Sequence, residues 1–158
     1  MDVERARSFL LALPHTVETM QWGDNLVFWV GDKAIGGKMF ALVNLDKPPA
    51  DAGLHRIVSY AAGPERYSEL IERDGVFPAP YAAHNFWVAV QHWGSLRDRE
   101  WEAEFRAAHA IILAKLPKRT RDVLAMPERE RAKLVAERRK LLAAQAAKKS
   151  RAKAAKKK

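Results

Sequence analysis

Seven cations stand in the last eleven residues of this 158-residue chain: Lys148, Lys149, Arg151, Lys153, Lys156, Lys157 and Lys158, separated only by Ala and Ser. Cations at that density neutralise a polyphosphate and release its condensed counterions, each neutralised phosphate contributing about −0.9 to the slope of log K against log salt. Nucleic acid is the partner this chemistry fits. The expected binding has no sequence preference, because a lysine on a phosphate carries no base information. Arg138, Arg139 and Lys140 extend the set towards the N-terminus. A membrane surface fits less well, since no aromatic or bulky apolar residue accompanies the charge after Leu142. A merely solubilising terminus is the plainer reading of the same run.

The tryptophans offer a second chemistry. Trp22, Trp29, Trp87, Trp93 and Trp101 are many for a chain of this size, and an aromatic half exposed beside Lys38 or Arg97 can stack on a base or a ligand ring. Trp87 and Trp101 read as core, from strand alternation and helical spacing. Trp22, Trp29 and Trp93 are the candidates for exposure, Trp29 because it faces away from Phe28 on a sheet expected to be covered on one side. His84, Asn85 and Lys38 approach a common pocket only if their strands adjoin.

Other constellations carry less. A phosphate loop G-x-x-x-x-G-K-[ST] ending at Gly37-Lys38 requires Gly at 32 and Ser or Thr at 39, where Asp32 and Met39 stand, and the segment joins two strands rather than opening a helix. His15, His55, His84, His92 and His109 form no HxH or HxxxH pair, so no metal site is expected. Glu100, Glu102 and Glu104 alternate around a helix, and no nucleophile, base and orienter stand out as a trio. The chain is therefore expected to be non-enzymatic, with no catalytic residue, no cofactor and no metal. Absence of Cys excludes a disulfide framework, a thiolate metal site and a cysteine nucleophile.

The elements that must position these residues follow from pattern. Residues 1–126 carry 15 Lys+Arg against 16 Asp+Glu, whereas residues 127–158 carry 13 against 3 and no aromatic, so the net charge of +9 belongs to an appendage on a nearly neutral domain. The 48% hydrophobic content excludes wholesale disorder and the length suits one core. No apolar run approaches the roughly 20 residues that cross a bilayer, and Met1-Asp2-Val3-Glu4-Arg5 lacks a secretory layout, so a cytoplasmic location is expected.

Val3, Ala6, Leu10 and Leu13 predict a first helix stopped by Pro14. Strands are expected near 17–22, over 26–30 and 38–43 around a Gly/Asp turn, over 55–61 after the Pro48-Pro49 break, and over 85–91. A short helix opens at Pro64 and ends at Asp74-Gly75. Val76–Tyr81 reads as an irregular connector because of its two prolines. Ser95 with Asp98 suggests a capping box for the strongest helix, which carries Trp101, Phe105, Ala108, Ile112 and Leu116. A turn over 118–125 precedes a last helix with a thin apolar stripe over 127–147 and a flexible end over 148–158. The order predicts an α+β fold: a two-layer domain with a mainly antiparallel sheet of about five strands packed by helices, and a helical or disordered basic tail.

Trp22-Gly23-Asp24, Leu26-Val27-Phe28, Gly37-Lys38-Met39-Phe40-Ala41, Pro78-Ala79-Pro80-Tyr81, Trp87-Val88-Ala89-Val90 and Lys115-Leu116-Pro117-Lys118-Arg119-Thr120 occur in that order. With this ordered set the chain resembles the MmcQ/YjbR-like family from about residue 3 to Ala125. The resemblance implies a small α+β domain grouped with type III secretion chaperones and called a double-wing DNA-binding domain; it implies no catalytic residues. Against that pattern Asp32–Gly36 looks like a small hairpin extension, His84-Asn85-Phe86 replaces a basic residue before Trp87, and everything beyond Pro127 lies outside. The leading expectation is a DNA-binding protein whose non-specific affinity comes from the basic tail. A protein- or peptide-interaction module and a small-ligand-binding protein are the alternatives.

Overall fold

Asp2 accepts the Arg5 backbone N–H at 2.8 Å and opens helix α1 (Val3–Ala12), which buries Ala6 and Leu10 and stops ahead of Pro14. A computed structural model describes residues 1–47, 53 and 55–157; the Pro48-Pro49 break and Lys158 lie outside the described residues. Strands β1 (Thr16–Gln21), β2 (Asn25–Val30) and β3 (Lys38–Asn44) form an antiparallel meander, and β4 (Val58–Ala61) adds to β3. Helix α2 (Pro64–Leu70) leads to β5 (Val76–Pro78) and β6 (Trp87–Val90). The sheet has six strands in the order β1-β2-β3-β4-β6-β5, each neighbour antiparallel. The fold is α+β.

The sixth strand corrects the irregular reading of residues 76–81. Val76–Pro78 pairs only with β6, and an edge strand tolerates a proline at its end because no second neighbour needs the missing N–H. Helix α3 (Asp98–Lys115) starts later than a Ser95 cap implies. Ser95 lies in a short 3-10 turn, and the Arg97 backbone N–H is the one that Glu100 accepts, at 2.8 Å. The turn expected over 118–125 is a seven-residue helix, α4 (Lys118–Leu124), tied down where the Thr120 hydroxyl donates to the Ile35 carbonyl at 2.9 Å and Leu124 enters the core.

Pro127 opens helix α5 (Glu128–Ala155), 28 residues long. The helix runs through 148–155, where a flexible end was expected. Alanine, lysine and arginine are all good helix formers, and cations beside the last carbonyls complement the helix dipole, so propensity outweighs self-repulsion. Only its first turns dock. Leu134 and Val135 are half-buried, Arg131 donates to the Leu124 and Met126 carbonyls at 3.1 and 3.0 Å, and Arg139 pairs with Asp32; Leu141 and Leu142 are exposed. The Asp32–Gly36 segment, a 3-10 turn over Lys33–Ile35, is thus the seat of α5.

One face of the sheet presents Phe28, Val43, Tyr60 and Val88 to Trp101, Phe105 and Ala108 of α3, with α1 and α2 alongside; this is the main core. Alternation sends Val27, Trp29, Leu42, Ser59 and Ala89 to the other face, which no helix packs in the same way. No helix among the described residues is long and apolar enough to cross a membrane.

Candidate functional site

Trp22 turns the chain between β1 and β2 with φ of 50°, and Tyr81 does the same at 65° in the loop that leads from β5 towards β6. Left-handed backbone costs a residue with a Cβ about 1 kcal/mol or more, so bulky side chains are rare there. Both rings nevertheless project: Trp22 is 64% exposed and Tyr81 is 97% exposed. Local hydrogen bonds hold them so. Asn25 Nδ2 donates to the Trp22 carbonyl at 2.6 Å, and the Ala79 and Ala82 N–H groups fold the Pro78-Ala79-Pro80-Tyr81 loop back on itself and on the Trp87 carbonyl at 3.2 and 3.0 Å. Strain of this kind concentrates at ligand clamps.

The two rings stand over a hollow of about 380 Å³ on the open face of the sheet. Its floor is Leu42, Met39, Trp87, Asn25 and Ser59. Asn25 is 7% exposed and Ser59 5% exposed, yet Asn25 Oδ1 and Ser59 Oγ have no hydrogen-bond partner among the described residues. Leaving such an atom buried and unpaired costs about 1–3 kcal/mol, and both lie closed off from solvent just beneath the hollow.

A second hollow of about 420 Å³ continues from the first, sharing Trp22, Met39 and Trp87. The tight β2–β3 connection, where a Cβ on Gly37 would stand 1.9 Å from the Gly31 carbonyl oxygen, brings Lys38 to its rim. Arg56 lines the first hollow, Lys38 and Lys115 line the second, and no carboxylate among the described residues lines either. Apolar walls, a few convergent polar groups and a volume of several hundred Å³ are the attributes of a small-ligand or base pocket. Beyond the rim Asp46 is held above the ordinary carboxylate range by its hydrogen bond with Asp24. No cluster of three or more His, Cys, Asp or Glu able to hold a metal occurs among the described residues.

The expected site residues divide. Trp22 is exposed, and Lys38 of β3 meets Asn85, which lies in a 3-10 turn ahead of β6 rather than on a strand, in the second hollow. Trp29 is corrected to a buried residue, 8% exposed. Its ring packs among Val27, Leu42, Val17 and Met39, its N–H donates to Thr19 Oγ1 at 2.8 Å and Lys33 Nζ sits 4.8 Å from the ring centre. Trp29 is buried because the open face carries a small apolar cluster of its own. Trp93 is corrected likewise: it is half-buried, 5.2 Å from the Trp101 ring. His84 and Arg97 are exposed and line neither hollow. Asn25, Arg56, Ser59, Tyr81 and Lys115 escaped sequence reasoning, because they meet only through strand pairing and loop closure.

The model of the family described as YjbR matches residues 11–111. The chain belongs to the YjbR family. Neither the curated proteins nor the solved structures contain a match. The YjbR match spans the end of α1 to most of α3 and takes in all of the first hollow; Lys115 and α5 fall outside it. Within the YjbR domain, four separated sequence motifs converge on the groove: Trp22-Gly23-Asp24, Gly37-Lys38-Met39, Pro78-Ala79-Pro80-Tyr81 and the strand opened by Trp87. Helix α5 borders the same face, where Trp29, Arg139 and Leu142 line a further hollow of about 360 Å³.

Beyond Arg139 every described residue is exposed, including Lys140, Lys148, Lys149, Arg151 and Lys153 of α5 and Lys156 and Lys157 in the turn that ends it, and Arg138 just before is exposed too. Arg139 differs from them, because its guanidinium is engaged with Asp32 and serves as an anchor. Helical register gathers Lys149, Lys153 and Lys156 on one side, at i, i+4 and i+7, with Lys148 and Arg151 elsewhere on the helix.

Proposed function

We propose that this YjbR-family protein is a non-enzymatic, cytoplasmic DNA-binding protein whose sequence-independent affinity comes from the distal half of α5. The observation that carries the reading is the exposed cationic helix: no acid follows Glu137, and the cations stand clear of the domain. A helix about 42 Å long is stiff enough to lay one side along a phosphate backbone. Contacts from Lys149, Lys153 and Lys156 give a slope of log K against log salt of about −2.7, without base preference.

A chain ending at Leu142 tests it, because it keeps Arg131, Leu134, Val135 and Arg139 and so leaves the docked turns of α5 in place. In a mobility-shift titration against duplex DNA at low salt, the shortened chain is expected to bind roughly 100-fold more weakly, with a salt slope shallower by about 2.7. Undiminished binding by the shortened chain overturns the role of α5. No duplex binding by the full chain overturns the DNA reading.

A further inference from the structure

We infer that the groove on the open face of the sheet takes unpaired bases of a single-stranded nucleic acid. The class of partner rests on the DNA-binding reading; the residues are different ones, and they lie within the domain. Three observations select this occupant.

The first is stacking. Trp22 and Tyr81 line the hollow from strained backbone, both largely exposed, and neither belongs to the core. Bases stack on such side chains whatever their identity. The second is hydrogen bonding. Asn25 Nδ2 donates to the Trp22 carbonyl, and Asn25 Oδ1 and the Ser59 hydroxyl are left unpaired and buried beneath the hollow. The Watson–Crick edge of a base places donor and acceptor side by side and pairs with such groups once their side chains turn into the hollow. In a duplex those edges are already paired and the ring faces already stacked, so only an unpaired base can use this floor.

The third is charge. Arg56 in the first hollow and Lys38 and Lys115 in the second stand with no carboxylate among the described lining residues, in a domain that is nearly neutral as a whole. Aromatic surface and cations recur in both hollows, which share Trp22 and Trp87, so consecutive bases with their phosphates fit better than an isolated ring.

The test uses the full chain, with α5 intact, against a short oligothymidylate, a duplex of equal length and thymidine monophosphate. Trp22→Ala and Tyr81→Ala are each expected to weaken oligothymidylate binding about tenfold, with duplex affinity changed less than about twofold. Ser59→Ala is expected to weaken the oligonucleotide several-fold in the same direction. Oligothymidylate binding that ignores all three substitutions overturns the groove as a base site. Monophosphate bound as tightly as the oligonucleotide overturns the strand as occupant and leaves a free-nucleotide site. The two readings separate cleanly: duplex binding lost on removing residues 143–158, with single-strand binding indifferent to Trp22 and Tyr81, sustains α5 and sinks the groove, whereas the reverse pattern sustains the groove and sinks α5.

Discussion

On the helix-covered face of the sheet Trp101 is fully buried, its N–H donated to the Trp93 carbonyl at 2.9 Å and its ring 5.4 Å from that of Phe105. On the opposite face Trp22 is 64% exposed, held in left-handed backbone and placed over unpaired polar atoms. The same side-chain type thus serves opposite ends. The covered face seals itself with interlocking rings and with ion pairs onto α3, Arg66 of α2 with Glu104 and Arg73, in the turn after α2, with Glu100 at 2.8 Å. The open face keeps strain and unsatisfied hydrogen-bonding groups that a ligand can relieve. A face that gains nothing by staying open is expected to close; this one has not.

The largest effect that can break this contrast is on stability. Trp101→Ala is expected to destabilise the fold by about 4 kcal/mol, since it empties a packed site and strands the Trp93 carbonyl. Trp22→Ala is expected to stay within about 0.5 kcal/mol of the parent, as surface substitutions do. Urea unfolding of both variants measures the pair. Comparable losses at the two positions mean that Trp22 is core after all, and the division between faces fails.

A smaller effect probes the seal between the turn after α2 and the start of α3. Arg73, with help from the Arg97 backbone N–H, lowers the Glu100 carboxyl from its ordinary 4.5 to about 2. A depressed carboxylate contributes its stability fully above the unfolded value, and that contribution is lost as pH falls from about 4.5 towards 2. Glu100 is 38% exposed at its side chain, so solvent screening holds the contribution to about 1 kcal/mol. Urea midpoints measured across that window are expected to fall more steeply for the parent than for Glu100→Gln. Equal slopes place the acid sensitivity elsewhere.

Elements governed by local pattern were legible in the sequence. Trp87 and Trp101 alternate or recur at the right period and are core; α1 has its cap and its proline stop; the hairpin glycines mark the β2–β3 turn. The candidate groove was legible only in fragments. Trp22 and Lys38 announced themselves by type, but Arg56, Ser59 and Tyr81 join them through the β3–β4 pairing and the folding back of the 79–82 loop, and no local spacing encodes either. Helix α5 was legible as a helix from Pro127 but not in its full length, because alanine propensity carries it past 147, and the Asp32 that anchors it through Arg139 lies more than a hundred positions away in the chain.

The finest test of the contrast is at Tyr81. Its side chain is 97% exposed, so its removal forfeits almost no packing, while its φ of 65° is strained for every residue with a Cβ. Glycine relieves that strain but adds freedom to the unfolded chain worth about 0.5–1 kcal/mol, and the two terms nearly offset. Tyr81→Gly and Tyr81→Ala are therefore both expected to lie within about 0.5 kcal/mol of the parent, while both lose single-strand affinity. That combination, a residue whose loss leaves stability intact and weakens binding, separates a ring kept for a ligand from a ring kept for the fold. A glycine variant markedly less stable than the alanine one, by differential scanning calorimetry, means that the backbone at position 81 is not strained, and the case for Tyr81 as a base platform then rests on its exposure alone.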